Sequence, residues 1–117
     1  MKSKPKIGIL KFDSSGQKTR PYDADTPGLQ MSEGTYDFPV IGEPVQGATA
    51  KTIAVDRDLA LIPHFIKAAK NLEQQGAKAI SGQCGFMAFF QREVANSVSI
   101  PVFTSGIILV PLAVSYT

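Results

Sequence analysis

Cys84 is the single thiol of the chain, and its setting is one where a thiol can do chemistry. Residues 78–98, KAISGQCGFMAFFQREVANSV, read as a short apolar strand over 78–81, a tight Gly-Gln-Cys-Gly turn, and an apolar-periodic helix opening at Phe86. The cysteine therefore stands at a strand-to-helix corner, close to a helix N-terminus. Unpaired backbone N–H groups and the helix dipole favour an anion at such a place, and for a thiol the anion is the thiolate. Free cysteine is more often a small buried hydrophobe. Its position at the corner is what marks Cys84 as the candidate reactive group.

Two more polar turns end on apolar runs. Asp13-Ser14-Ser15-Gly16 follows 6–12 (KIGILKF), and its short side chains can bond either backbone or ligand. Thr104-Ser105-Gly106 follows 100–104 (IPVFT). His64, the one imidazole, comes directly after Pro63 and reads as a surface or capping residue, since nothing in the sequence places it near Cys84. Arg20 could fork onto a carboxylate, although a solvated arginine is the plainer reading.

The elements that must position these groups alternate. Ile7, Ile9 and Leu10 make 6–12 a buried strand, with Gly8 permitting close backbone approach. Residues 17–34 form a long polar stretch with Pro21, Pro27 and Gly28, and a loop of that length in an ordered chain tends to cover a site. Residues 35–45 (TYDFPVIGEPV) predict an edge or interrupted strand, because Pro39 and Pro44 exclude a fully paired position. Residues 46–52 predict a loop. A helix lies within 54–75, with Leu59, Ile62, Phe65 or Ile66, Ala69 and Leu72 on one stripe, Asp56 or Asp58 as cap and Gly76 as C′ residue. Pro63 either occupies the first turn of a shorter helix or kinks a longer one. After the strand at 78–81, Phe86, Phe89, Phe90 and Val94 form an aromatic stripe that reads as core. A strand at 100–104 and an apolar segment over 107–114 close the order.

Strand and helix in alternation predict an α/β fold, a three-layer sandwich around a mostly parallel sheet of Rossmann-like or flavodoxin-like kind with right-handed crossovers. Functional groups then gather at the carboxyl ends of the strands. The three polar turns all sit at such ends, and their convergence on one edge says more than any of them alone. With 117 residues the chain predicts a single α/β domain, and the apolar segment near its end suggests a fragment.

Composition narrows the function classes. A net charge of +2 with scattered lysines argues against nucleic acid. One cysteine excludes an internal disulfide, and one cysteine with one histidine leaves no metal site to expect. The apolar run 106–114 is far short of the ~20 residues of a spanning helix, and 7–10 is too short for a signal-peptide core. No membrane association and a cytoplasmic location are expected.

Taken together, these stretches resemble the aspartate/glutamate racemase superfamily, which includes hydantoin racemases and related decarboxylases and isomerases. The resemblance rests on the first strand with Asp13-Ser14 after it, Thr35-Tyr36-Asp37-Phe38-Pro39-Val40, Gln75-Gly76-Ala77-Lys78-Ala79-Ile80 leading to Cys84, and Ile100-Pro101-Val102-Phe103-Thr104-Ser105. It implies the N-terminal half of a two-domain enzyme with its site in the cleft between halves and no cofactor. Each half usually gives one cysteine, one thiolate removing an α-proton and the opposed thiol returning one. Cys84 then matches the first-half cysteine. Asp13 and Ser14 match the turn that orients substrate or thiol, and the N–H groups of Gly85 and Phe86 match the carboxylate-holding helix start. The partner is a small carboxylate or cyclic amide substrate.

Two departures follow from the same comparison. Many racemases carry Cys-Asn-Thr at the corner, whereas Gly85 and Phe86 follow Cys84 here, which weakens the case for aspartate and glutamate and allows a bulkier or less polar substrate. The second cysteine is absent, so two-base racemisation is beyond this chain alone. A single-cysteine decarboxylase or cis–trans isomerase is the alternative within the superfamily. A non-catalytic α/β binding module is the alternative outside it. Exposed apolar surface over 106–114 also allows a homo-oligomer.

Overall fold

Each strand here is too short and too apolar to stand alone, and four of them pair in parallel. The structure, a computed structural model, describes residues 5–13 and 35–115. Strands β1 (Lys6–Lys11), β2 (Val40–Pro44), β3 (Ala77–Gly82) and β4 (Val102–Phe103) form one sheet in the order β2-β1-β3-β4. Gly8 of β1 sits opposite Ile41 on one side and Ile80 on the other, and Ile80 pairs in turn with Val102. β2 takes the edge that Pro39 before it and Pro44 at its end dictate. The predicted strand at 35–45 narrows to Val40–Pro44, with the Pro39 carbonyl accepting the Ile7 N–H at 3.0 Å. The one predicted at 100–104 narrows to Val102–Phe103.

Helix α1 (Ile62–Gln74) joins β2 to β3, and α2 (Gln91–Ser97) lies between β3 and β4. Both connections step the same way across a parallel sheet, so both helices cover the same face. Phe65 of α1 and Phe90, just before α2, stack there with centroids 4.3 Å apart and planes within 15°. They close a buried core with Leu10 and Ile80 of the sheet and Leu72 and Val94 of the helices. The α/β class and the parallel sheet are thus as the alternation predicts.

Local chemistry sets the helix ends. Asp58 caps a short 3-10 turn, Leu59–Leu61, through the Ala60 N–H at 3.0 Å, and Pro63 falls in the first turn of α1. The shorter of the two predicted helices is the one that forms. Leu59 is exposed rather than part of the apolar stripe, and Leu61 is buried in its place. Gly76 ends α1 with φ +93°, which glycine adopts without strain, and its N–H donates to the Glu73 carbonyl at 3.1 Å.

Three further departures concern the turns. The loop predicted at 46–52 runs into a π-helical turn over Lys51–Val55. The helix predicted to open at Phe86 begins instead as a 3-10 turn, Gly85–Phe90, and becomes α-helical only at Gln91. The end of the described chain is a 3-10 turn, Gly106–Leu109, followed by α3 (Val110–Ser115), none of whose residues is buried. Ser14, Ser15, Gly16, Arg20 and the predicted loop at 17–34 lie outside the described residues. No helix among the described residues is long and apolar enough to cross a membrane.

Candidate active site

β3 ends at Gly82, and the next residue fastens the corner to β1. The Gln83 N–H donates to the Leu10 carbonyl at 2.8 Å, and Gln83 Oε1 accepts the Phe12 N–H at 2.9 Å. Cys84 follows in extended backbone, and its carbonyl accepts the Met87 N–H at 3.0 Å, which opens the 3-10 turn. Met87 and Phe90 anchor that turn in the core. The Cys84 side chain is half-buried, packs against the core cluster and is in no disulfide. The thiol therefore sits at the carboxyl edge of the sheet, at the head of a 3-10 turn rather than of an α-helix.

The turn after β4 adjoins this corner. Thr104 is fully buried, and Gln91 Oε1 accepts both its N–H (2.9 Å) and its hydroxyl (2.7 Å). The Gln91 amide in turn donates to the Val102 carbonyl at 2.7 Å. Ser105, only 7% exposed, caps the next turn with Oγ accepting the Ile107 N–H at 3.1 Å. A Cβ built on Gly85 would lie 3.5 Å from Ile107 Cδ1 and 3.7 Å from Ser105 Oγ. Gly85, and with it the Cys84 corner, is thus neighbour to the Ser105 turn.

Asp13 belongs to the same edge and is held by the loop after β2. Its N–H donates to the Ala48 carbonyl at 2.9 Å, and its Oδ2 accepts the Gly47 N–H at 2.8 Å. Thr52 braces that loop, its hydroxyl donating to the Gly47 carbonyl at 2.9 Å. The π-helical turn beyond it packs against the 3-10 turn that follows Cys84. Of this fourth segment, 47–55, the sequence reads 46–52 as a plain loop and misses its part in the edge. The signal available was Gly47 with Thr49 and Thr52, a turn glycine followed by two side chains able to bond backbone.

Other expectations separate from this edge. Phe90 is buried, but Phe86 and Phe89 are 55% and 48% exposed, so only part of the aromatic stripe is core. A 3-10 turn has three residues per turn, so it does not keep the four residues on one face as an α-helix would. Phe86 and Ile107 instead stand out around the corner. His64 lines a polar groove of about 190 Å³ with Glu43, Gln46, Lys67 and Asn71, on the β2 flank. An apolar hollow of about 350 Å³ lies at the amino end of β1, between Pro5, Ile7, Asp37 and Phe38. Neither hollow includes Cys84, Ser105 or Asp13. Among the described residues no three His, Cys, Asp or Glu side chains gather as a metal site.

The edge thus carries the Asp13 carboxylate after β1, and beside it the thiol and a buried hydroxyl-bearing turn on segments 82–90 and 104–109, which contain no charged residue.

No family profile and no curated protein matches the sequence. Solved structures do match in fold. A liganded double mutant of arylmalonate decarboxylase aligns at TM-score 0.53 and 20% identity, over 94% of this chain and 46% of the other. A glycine-to-cysteine mutant of the same enzyme in its sulfate-associated form aligns at 0.57 and 21%, with the same coverage. A protein assigned as an Asp/Glu racemase from Yersinia pestis aligns at 0.54 and 20%, over 97% of this chain and 48% of its own. The chain spans about half the length of these structures, and what it shares with them is the fold of arylmalonate decarboxylase and Asp/Glu racemase.

Proposed function

We propose that this chain is one half of a cofactor-independent enzyme that moves a proton at a carbon α to a carboxylate or carbonyl, with Cys84 as the acid/base. The observation that carries the proposal is the placement of the thiol at the carboxyl edge of the sheet, between the Asp13 and Ser105 turns. An α-proton of a carboxylate is very weakly acidic, so its base must be close, partly desolvated and matched by donors that stabilise the enolate-like charge. Half-burial of Cys84 supports the desolvation. The N–H groups of Gly85 and Phe86 and the hydroxyl of Ser105 are the donors assigned to the substrate oxygens, while Thr104, whose hydroxyl donates to Gln91, holds the turn that presents them. Asp13, with Ser14 beyond it, orients substrate or thiol. The apolar side chains around the corner suit a substrate with an apolar α-substituent, a hydantoin or aryl acid rather than aspartate.

One thiolate can take a proton and return it only from the face on which it stands. The expected signature is therefore exchange of the α-proton with solvent, and inversion requires a second acid/base group from another half. Decarboxylation is a second reading, to which the decarboxylase among the structures of this fold points. There the bond from the α-carbon to one carboxylate of a malonate breaks, carbon dioxide leaves, and the electron pair stays as an enediolate. The Cys84 thiol then protonates that carbon. Proton NMR in deuterated water, with hydantoins, α-aryl acids and arylmalonates as substrates, tests both readings. Loss of the α-proton signal points to the first and carbon dioxide release to the second. Cys84→Ser should abolish either, and retained turnover in that variant sinks the assignment.

A further inference from the structure

The sheet order β2-β1-β3-β4 divides between β1 and β3, because the chain passes from β1 to a strand on one side and from β3 to a strand on the other. In an open parallel sheet, ligands sit beyond the carboxyl ends of the strands at that division. Gln83 spans it. Its backbone N–H donates to the Leu10 carbonyl at 2.8 Å, and its side-chain Oε1 accepts the Phe12 N–H at 2.9 Å, one residue before Asp13. A backbone N–H can only donate, so the oxygen is the end of the side-chain amide that faces Phe12, and the NH2 group is the other end. That group meets no acceptor among the described residues. We infer that Gln83 is a substrate-binding residue whose Nε2 donates to a second acceptor group of the substrate, a carboxylate or carbonyl distinct from the one held at Gly85. The inference rests on the reading of Cys84 as the acid/base at this edge.

The donors flank the thiol. Gly85 adjoins the Ser105 turn after β4, on one side of Cys84, whereas Gln83 is bonded to the end of β1, on the other. β3 runs between those two strands. An α-carbon brought to the thiol can therefore present one oxygen-bearing group toward Ser105 and another toward β1. A malonate or a hydantoin carries two such groups, and a simple α-aryl acid carries one. The bond to Phe12 already fixes the end of a flexible side chain, so less rotamer freedom is lost when a ligand takes up the NH2 group. That fixing separates Gln83 from a solvated glutamine. The amide is neutral, so it donates to a carbonyl as well as to a carboxylate.

Binding of phenylmalonate and of phenylacetate to the chain, followed by calorimetric titration, is the test, because the two ligands differ by one carboxylate. The native chain should hold phenylmalonate about tenfold or more tighter, the gain from one hydrogen bond to a charged acceptor. Gln83→Glu keeps an oxygen for the Phe12 N–H and removes the donor. Gln83→Met removes the donor without adding a charge, which guards against simple repulsion of the malonate. Both should erase the preference. Equal affinity for the two acids in the native chain overturns the inference, as does a preference that survives in either variant. The readout is affinity rather than turnover. Turnover retained in Cys84→Ser would thus remove the acid/base reading and leave this comparison standing, whereas a failed comparison with Cys84→Ser inactive would remove the role of Gln83 alone.

Discussion

Gly82 and Thr104 meet backbone to backbone. A Cβ on Gly82 would collide with the Thr104 carbonyl oxygen and lie 3.0 Å from Met87 Sδ. That contact sets β3 and the turn after β4 close enough for Gly85 and Ser105 to be neighbours. Because the obstacle is backbone, it cannot swing aside as a side chain would. Replacing a strand glycine by alanine ordinarily stabilises by restricting the unfolded chain. Gly82→Ala should reverse that sign and destabilise by about 1–3 kcal/mol, the cost of overpacking. Urea unfolding measures it, and a gain in stability would contradict the close approach.

Gln91 is the side chain that holds the Thr104 turn in place. It accepts twice from Thr104 and donates once to Val102. Gln91→Leu leaves the buried Thr104 hydroxyl and amide without an acceptor, and each unmet buried group costs about 1–3 kcal/mol. The expected loss is about 2–3 kcal/mol in urea unfolding, with faster hydrogen exchange at the Thr104 amide. Gln91→Glu keeps the acceptor for Thr104 but sets a carboxylate oxygen against the Val102 carbonyl, so it should also destabilise while preserving the slow exchange of the Thr104 amide.

The layer order was legible because its signals are periodic. Ile7, Ile9 and Leu10 mark a strand, the stripe from Ile62 to Leu72 marks a helix within 54–75, and Pro39 and Pro44 mark an edge. The corner was legible in position but not in helix type. Phe86, Phe89 and Phe90 fit an α-helical stripe in sequence, yet with the Cys84 carbonyl bonded three residues on to Met87 the chain winds more tightly and turns Phe86 outward. Gln83 and Gln91 gave no signal at all, since a polar residue among apolar ones looks the same whether it faces solvent or bridges two strands. The order of the loop at 46–52 was missed for a related reason. Its order comes from Asp13, thirty-four residues away from Gly47 in sequence, and no local pattern announces a bond of that span.

The Phe65–Phe90 stack is the centre of the core that carries the corner. Phe65→Ala and Phe90→Ala each remove a fully buried ring and should cost about 3–5 kcal/mol. The rings touch, so the two losses should not add. A double-mutant cycle in guanidinium should give a coupling of about 0.5–1.5 kcal/mol. Strict additivity would mean that the rings do not stack in solution.

Lys51 gives a pH dependence whose sign is fixed by its partner. Its Nζ lies 2.9 Å from Asp56 Oδ2 across the π-helical turn. The hydrogen bond to that carboxylate, and then its charge, raise the ammonium pKa above the usual 10.5. A folded-state value above the unfolded one means that the pair stabilises at neutral pH, fully so below the unfolded value, and that the effect is lost as the pH rises through the folded value. Both side chains are exposed, so the contribution is small and screened by salt. Lys51→Met should therefore lower the thermal midpoint only slightly at pH 7 and low ionic strength. That difference should vanish in high salt and again above the folded-state pKa. A difference that grew with pH would place the lysine against a cation rather than against Asp56.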